Sequence, residues 1–326
     1  MNILVTGGAG YIGSATAEAL LAAGHSVTVY DSLITGHRQA VPAGAAFVEA
    51  PLEDRQMLSR TLTTGAFEAV MHFAAFIEAG ESMQDPGRFY SNNLGNSLTL
   101  IETAALAGIK RFVLSSTAAV YQSSDQPLME ESPLGPTNVY GHTKLVVEQV
   151  LDWYRRIHGV HFSALRYFNA CGALPGRGEA HRPESHLIPL VLQVALGGSE
   201  AASIFGTDYP TPDGTCIRDY VHIADLVSAH LLALDALQTS DRLIFNVGSG
   251  NGFSVREVIQ AARRITGHPI PVRESPRRSG DPPRLVASSD KIRRELGWQP
   301  RHVDLEDMIS SAWEWHKSHP GGYGNS

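Results

Sequence analysis

The chain has 326 residues, 43% hydrophobic and 18% charged, proportions that are typical of a globular protein and exclude a fibrous or disordered chain. Its net charge of −7 comes without any basic block, so we expect no nucleic-acid partner. No apolar run is long enough to span a bilayer, so we expect no membrane partner. Cys171 and Cys216 are far apart and lack metal-ligand spacing, so we expect free thiols in a cytoplasmic protein and no metal site.

The first element is a strand followed by a glycine turn and a helix. Ile3 to Val5 form an apolar run typical of a buried strand, and it begins so near Met1 that we expect no signal peptide. Gly7, Gly10 and Gly13 follow at a spacing of three, and a helix-favouring stretch continues from Ser14 to Ala23. Glycines permit close backbone approach and the helix N-terminus attracts anions, so this segment predicts a pyrophosphate site.

A second strand, Ser26 to Tyr30, ends at Asp31. An acid in this position accepts hydrogen bonds from an adenosine ribose and repels a 2′-phosphate. The sequence therefore predicts an NAD site rather than an NADP site.

Further strands alternate with helices through the first half. We predict strands at 46–48, 69–75, 111–116 and 161–167, and helices at 55–63, 89–107 and 143–158. Near-continuous apolar strands separated by helices indicate an α/β fold with a doubly wound, parallel, Rossmann-type sheet. Ligands of such sheets bind beyond the carboxyl ends of the strands, where Gly7, Asp31, Phe73 and 115–117 fall.

The second half contains longer loops and short strand candidates. We predict helices at 187–196, 223–237, 254–266 and 305–317. These features indicate a smaller, partly interleaved lobe. We therefore predict an NAD-binding domain at 1–170 and a substrate-binding lobe at 171–326, some of whose segments rejoin the first sheet.

Tyr140 and Lys144 are a candidate catalytic pair. At a helical spacing of four residues, both side chains lie on one face. A neighbouring ammonium favours the phenolate, so we expect Lys144 to lower the pKa of Tyr140 and make it a base near neutral pH.

These motifs resemble the extended short-chain dehydrogenase/reductases, and among them the UDP-glucose 4-epimerase family, from residue 1 to about Trp315. The resemblance is carried by Thr6-Gly-Gly-Ala-Gly-Tyr-Ile-Gly13, Asp31-Ser-Leu-Ile-Thr-Gly-His37, His72-Phe-Ala-Ala75, Gly80-Glu-Ser82, Ser115-Ser-Thr-Ala-Ala-Val-Tyr121, Tyr140-Gly-His-Thr-Lys144, Arg166-Tyr-Phe-Asn169 and the stretch from Asp208 to His222.

The resemblance implies the interconversion of UDP-glucose and UDP-galactose, a step of galactose metabolism, by oxidation at C4, rotation of the 4-keto sugar and return of the hydride. Tyr140 would exchange the proton of the 4-hydroxyl, Thr117 would hydrogen-bond the 4-oxygen, and Lys144 would hold the nicotinamide ribose. The NAD residues implied are Gly7, Gly10, Tyr11, Ile12, Gly13, Asp31, Ser32, Leu52, Phe73, Ala74, Ala75, Asn93, Ser115, Thr117, Tyr140, Lys144 and Phe168.

The resemblance also implies a UDP-sugar site. Its residues are Thr117, Tyr140, Asn169, His186, Leu187, Ser203, Phe205, Arg218, Arg278, Asp281 and Leu285. The arginine forks suit phosphate oxygens, and Asp281 suits a ribose hydroxyl. The family pattern further implies a homodimer through the helices at 89–107 and 143–158.

Three positions depart from the family pattern. Pro51-Leu52 replaces an Asp-Ile pair near the adenine, and Gln122 replaces a glycine after Tyr121. Leu285 is intermediate in size between residues that admit N-acetylhexosamines and residues that exclude them, so the sugar range stays open.

Several functions therefore remain to be separated. A 4-epimerase of a UDP-N-acetylhexosamine, UDP-pentose or UDP-uronate would share nearly all these residues. A nucleotide-sugar dehydratase would need an acid and a base directly after Thr117, where the chain has Ala118-Ala119. A non-catalytic NAD-binding redox sensor would not need Tyr140, Lys144 and Thr117.

Overall fold

The computed structural model describes residues 1–278 and 281–324, so the end of the predicted second lobe, 325–326, lies outside the described residues. The strands are β1 (Asn2–Thr6), β2 (Ser26–Asp31), β3 (Ala46–Glu49), β4 (Ala69–His72), β5 (Arg111–Thr117), β6 (His161–Tyr167), β7 (Asn169–Cys171), β8 (Ala202–Phe205), β9 (Ile217–His222), β10 (Arg242–Val247), β11 (Gly252–Ser254), β12 (Val272–Ser275) and β13 (Arg284–Leu285). The helices are α1 (Tyr11–Ala22), α2 (Arg55–Thr64), α3 (Ala79–Ser82), α4 (Pro86–Phe89), α5 (Asn96–Leu106), α6 (Val139–His158), α7 (Leu187–Ala195), α8 (Ile223–Ala236), α9 (Val255–Thr266), α10 (Asp290–Leu296) and α11 (Leu305–Ser318).

The largest sheet has seven strands in the order β10-β6-β5-β4-β1-β2-β3, and every pair is parallel. This confirms the predicted doubly wound α/β fold. The sequence did not predict β10, which comes from the second half of the chain and pairs with β6 from Arg242 to Val247. The division at residue 170 stays a prediction.

The sheet is covered on both faces, as its apolar strands require. Leu4 on β1 packs in a core with Leu58, Leu100 and Val147, which come from α2, α5 and α6. The alternate residue Ile3 packs on the opposite face with side chains of α1 and α8. Strand order reverses between β1 and β4, so a crevice opens beyond their carboxyl ends.

The second half builds a separate core around α7, α9 and α11. Beside it, β9 pairs with β7, β11 and β13, while β8 pairs with β12. These strands have between two and six residues, which is why sequence patterning did not assign them. Among the described residues, no helix combines the length and the apolar character needed to cross a membrane.

Two predicted elements had wrong bounds that matter for the site. The predicted helix at 89–107 is interrupted, because residues Tyr90–Gly95 form a π-helical turn between α4 and α5. Helix α6 begins four residues before the predicted Thr143, since the Asn138 side chain caps it by accepting from the Gly141 N–H at 2.8 Å. Tyr140 therefore lies in the first turn of α6.

Candidate active site

A cavity of about 800 Å³ lies at the carboxyl edge of the large sheet and extends into the second half of the chain. It brings together every residue predicted to hold cofactor or substrate, with the exception of Asn93. The residues that line it include Gly7, Gly10, Tyr11, Ile12, Gly13, Asp31, Ser32, Leu52, Phe73, Ala74, Ala75, Ser115, Thr117, Tyr140, Lys144, Phe168, Asn169, His186, Leu187, Ser203, Phe205, Arg218, Arg278, Asp281 and Leu285.

The glycine turn after β1 leaves no room for side chains. Gly7 has a φ of +73°, and a Cβ atom there would lie 2.4 Å from the Ala74 nitrogen. A Cβ atom on Gly13 would lie 2.2 Å from the Gly7 carbonyl oxygen. The bare backbone therefore lines the cavity at the start of α1, where free N–H groups favour an anion. This arrangement fits the pyrophosphate of a dinucleotide.

Asp31 ends β2 at the cavity wall with its carboxylate held in place. One oxygen accepts from the Ala9 N–H at 2.9 Å and the other from the Leu33 N–H at 2.8 Å. Burial raises the pKa of Asp31, and these two hydrogen bonds oppose that rise. The carboxylate keeps unused acceptor positions, which suit the hydroxyls of a ribose.

The neighbouring wall at Pro51-Leu52 is apolar. The Tyr30 hydroxyl donates to the Pro51 carbonyl at 3.1 Å, and Leu52 is buried in the same core as Tyr30. An adenine here would meet an apolar surface in place of the carboxylate that the family pattern carries.

The reactive pair lies on α6, facing the end of β5. The Tyr140 hydroxyl is hydrogen-bonded to Thr117, and the Tyr140 N–H donates to the Ser82 hydroxyl at 3.1 Å. The buried Lys144 ammonium donates to the Ser115 carbonyl at 2.9 Å. A cavity-lining phenol is thus paired with a hydroxyl group, while the ammonium is anchored to the strand end.

The expected effect of Lys144 on Tyr140 is wrong in this structure. Burial raises the pKa of Tyr140 to about 12, and the hydrogen bond from Thr117 is the interaction that lowers it. Burial also lowers the pKa of Lys144 to about 8. Both shifts have one physical cause, because a low-dielectric site disfavours the charged form of each group. Thr117 is therefore the residue that makes the Tyr140 proton easier to remove.

A buried network of charged and polar side chains connects α6 to the large sheet. Arg166 on β6 forms an ion pair with Glu148 at 2.6 Å, and both side chains are almost fully buried. Glu148 also accepts from Ser116, and Arg166 donates to the Tyr121 hydroxyl at 2.9 Å. Glu148 lies one turn after Lys144, so the network links the reactive face of α6 to β5 and β6.

Asn93 does not line the cavity, and its predicted place in the NAD site stays a prediction. It is buried in the π-helical turn, where its amide accepts from the Phe76 N–H at 2.8 Å and donates to the Phe76 carbonyl at 2.9 Å. π-helical turns often occur near functional sites. Here the π-helical turn directs the Asn93 amide toward the loop after β4, and the two hydrogen bonds to Phe76 hold that loop in place.

At the other end of the cavity, the predicted substrate residues contact one another. Arg218 donates to Asp281 at 2.7 Å, so the two side chains form an ion pair. The exposed Arg278 guanidinium lies 4.0 Å from the centre of the Phe205 ring. The Asn169 amide donates to the Asp219 carbonyl at 2.9 Å. Guanidinium groups and an aromatic face are thus concentrated here.

Gln122 and Leu285 are accommodated without displacing the reactive residues. The Gln122 side chain packs against Gly135, where an added Cβ atom would lie 2.4 Å from the Gln122 Cγ. The Gln122 backbone N–H donates to the Pro133 carbonyl at 3.0 Å. Leu285 on β13 is half-buried at the cavity wall.

Sequence reasoning missed three residues beside His186. Glu179, His181 and Glu184 form a cluster with it, and Glu179 and His181 line the cavity as His186 does. The signal was present as a repeated Glu-x-His pattern, at 179–181 and again at 184–186.

Comparison with known proteins agrees with this geometry. The family model described as "NAD dependent epimerase/dehydratase family" matches residues 3–248. The chain is 50% identical to the UDP-glucose 4-epimerase of Streptomyces lividans over 98% of this chain and 97% of that protein, and 48% identical to that of Lacticaseibacillus casei over 100% and 99%. A solved structure of UDP-glucose 4-epimerase from Bifidobacterium longum in complex with NAD+ and UDP has a TM-score of 0.95 and 34% identity, covering 99% of this chain and 100% of that chain. A glycine-lined dinucleotide crevice, a Tyr-x-x-x-Lys pair at its centre and full-length similarity lead to one conclusion: this chain belongs to the NAD dependent epimerase/dehydratase family.

Proposed function

We propose that this protein catalyses the NAD-dependent 4-epimerisation of a UDP-hexose, interconverting UDP-glucose and UDP-galactose. The observation that carries the proposal is that Tyr140 and Thr117 line the same cavity as the glycine turn and the Arg218–Asp281 pair. Full-length similarity to proteins named UDP-glucose 4-epimerase supports it.

The chain supplies the holding groups and the proton chemistry. The glycine turn and Asp31 would hold NAD, and bound NAD would supply a hydride acceptor and then a hydride donor at C4 of the sugar. Tyr140 would take the proton of the 4-hydroxyl and later return it, and Thr117 would hydrogen-bond the 4-oxygen. Lys144, fixed by the Ser115 carbonyl, would add positive charge beside the reacting oxygen.

Inversion at C4 requires the 4-keto sugar to turn while its nucleotide stays bound. Arg218 and Arg278 come from the second half of the chain and line the same cavity as Tyr140, where they would hold the diphosphate. Asn169 and the Phe205 ring would complete the uridine site. Anchoring through UDP leaves the hexose ring itself free to rotate.

The decisive variant is Tyr140→Phe. We expect it to lower the rate of UDP-galactose conversion by about 10²–10⁴-fold, because it removes the acid–base group and keeps the ring. Products would be separated by sugar, and Tyr154→Phe on the same helix is the matched control, since Tyr154 packs in the core away from the cavity. Equal rates for Tyr140→Phe and Tyr154→Phe would contradict the proposal.

The range of sugars is tested on the same protein. UDP-glucose, UDP-N-acetylglucosamine, UDP-xylose and UDP-glucuronate would each be incubated with the unmodified chain. We expect UDP-glucose to react fastest, with Leu285 limiting the N-acetylated sugar. Faster turnover of another sugar would reassign the substrate and leave the role of Tyr140 in place.

We further propose that two copies associate through α5 and α6 in the cytoplasm. These neighbouring helices expose Leu98, Leu106, Trp153 and Ile157, with exposed fractions of 38%, 83%, 59% and 67%. Such a concentration of apolar side chains is typical of an interaction surface. Two buried free cysteines support a reducing compartment.

A further inference from the structure

The segment between β7 and α7 carries two Glu-x-His pairs that the proposed reaction does not use as a set. They are Glu179 with His181 and Glu184 with His186. Each residue offers one nitrogen or oxygen atom, and all four atoms lie within 4.8 Å of one another. Four residues from eight consecutive positions thus converge on one point.

The separations of these atoms match the spacing around a small metal ion. Nδ1 of His186 lies 2.8 Å from a Glu179 oxygen and 2.9 Å from a Glu184 oxygen, and Nδ1 of His181 lies 3.1 Å and 3.8 Å from oxygens of the same two residues. In a tetrahedral zinc site, bonds of about 2.0–2.2 Å place the donor atoms about 3.3–3.6 Å apart. Adjustments of less than an ångström in most of these contacts would complete such a site.

Both carboxylates are unusually buried for this position. The Glu179 and Glu184 side chains are 5% and 6% exposed, and within the described part of the chain their ion pairs are formed with His181 and His186. Buried carboxylates require charged partners or a metal ion. A divalent cation would balance both charges while the imidazole rings act as neutral ligands.

The Glu184 carboxylate is also held in a fixed orientation by the backbone N–H groups of the next two residues. One of its oxygens accepts from the Ser185 N–H at 2.7 Å and from the His186 N–H at 2.8 Å. Hydrogen bonds of this kind orient ligands in established metal sites.

We propose that Glu179, His181, Glu184 and His186 bind a divalent transition-metal ion, with Zn²⁺ as the best match. Two imidazoles and two carboxylates suit Zn²⁺, whereas Mg²⁺ and Ca²⁺ prefer oxygen ligands alone. This proposal departs from the initial expectation of a chain without a metal site.

The contacts of the segment assign the ion a structural role beside the cavity. The Ala180 carbonyl lies 2.8 Å from Nε2 of His37, and the His181 ring meets the Tyr11 ring edge-on at 6.3 Å. Tyr11 directly follows the glycine turn. A bound ion would therefore fix residues 177–186 against the dinucleotide end of the crevice.

Metal binding is tested on the full chain after removal of metals by a chelator. We expect calorimetric titration with Zn²⁺ to give one ion per chain, and Mg²⁺ to give no binding. Co²⁺ should produce the visible absorption of a four-coordinate nitrogen–oxygen site. Zn²⁺ should also raise the melting temperature, because it binds the folded state.

Variants connect the binding to these residues. His181→Asn and Glu184→Gln should each weaken Zn²⁺ binding by more than about 10-fold, since even residues behind the ligands change affinity by about 10–100-fold. His268→Asn, at an exposed position just after the C-terminal end of α9, is the matched control. Glu184→Gln preserves side-chain size and covers the case in which His181→Asn does not fold.

The proposal is overturned if the unmodified chain takes up less than one tightly bound Zn²⁺. It is equally overturned if both folded variants bind Zn²⁺ as the control does. These outcomes are independent of sugar conversion, so they leave the proposed epimerisation untouched.

Discussion

At the scale of single residues, the hydroxyl of Thr117 has a larger part in the proton chemistry than the Tyr-x-x-x-Lys pattern suggests. Its hydrogen bond lowers the pKa of Tyr140 against the opposing effect of burial. Lys144 is directed to the Ser115 carbonyl instead. The pKa of Tyr140 on α6 therefore depends also on Thr117, the last residue of β5.

The variant Thr117→Val should move the pH dependence of turnover upward. Removing the hydrogen bond raises the pKa of Tyr140, so the reactive phenolate forms only at higher pH, and the rising limb of the rate–pH profile shifts in the alkaline direction. Turnover near pH 7 falls accordingly. The profile would be measured with UDP-galactose from pH 6 to 10.

Thr103→Val on α5 is the control for this change, because its hydroxyl donates only to the Thr99 carbonyl within the helix. Turnover of Thr117→Val that equals that of Thr103→Val at every pH would contradict a role for Thr117 in the proton chemistry.

At the scale of elements, α6 depends on the buried pair that joins it to β6. Arg166→Met should lower the free energy of unfolding by about 3–5 kcal/mol, because it leaves the Glu148 carboxylate buried without its cation. Arg156→Met is the control, since Arg156 is more than half exposed and its pair with Asp152 should contribute less than about 1 kcal/mol. Urea denaturation measures both, and equal losses would refute a special role for the Arg166–Glu148 pair.

The elements that sequence patterning predicted well are those with long periodic signals. The first two strands, the glycine turn and helix α1 follow directly from apolar runs and glycine spacing, and the remaining long helices were placed within a few residues. The π-helical turn at Tyr90–Gly95 was not predicted, because it differs from an α-helix in its hydrogen bonds and not in its pattern of apolar residues.

The sequence predicted which residues line the candidate site better than it predicted the contacts among them. Gly7, Asp31, Tyr140 and the arginines were identified as a set, and the structure lines one cavity with them. The Arg218–Asp281 pair was not foreseen, because residues 63 positions apart reveal a contact only in the folded chain. Burial, which determines the pKa values of Tyr140 and Lys144, is likewise a property of the tertiary structure.

At the scale of the whole molecule, the proposed dimer makes a direct prediction. Trp153→Glu places a charge in the centre of the apolar surface formed by α5 and α6, and we expect it to yield monomers. Light scattering at several protein concentrations measures the mass. Glu102→Gln, on α5 but outside the apolar residues, is the control and should remain dimeric. A monomeric unmodified chain would refute the dimer.

The position of β10 has a consequence for how the protein is made. β6 ends at Tyr167, and its outer edge is completed only by β10, about 80 residues later. At synthesis rates of about 5–20 residues per second, this edge stays unpaired on the ribosome for on the order of ten seconds. An open strand edge invites pairing with other chains. The nascent N-terminal half therefore passes through an interval in which the free β6 edge favours aggregation, and that interval closes when Val247 has emerged and paired.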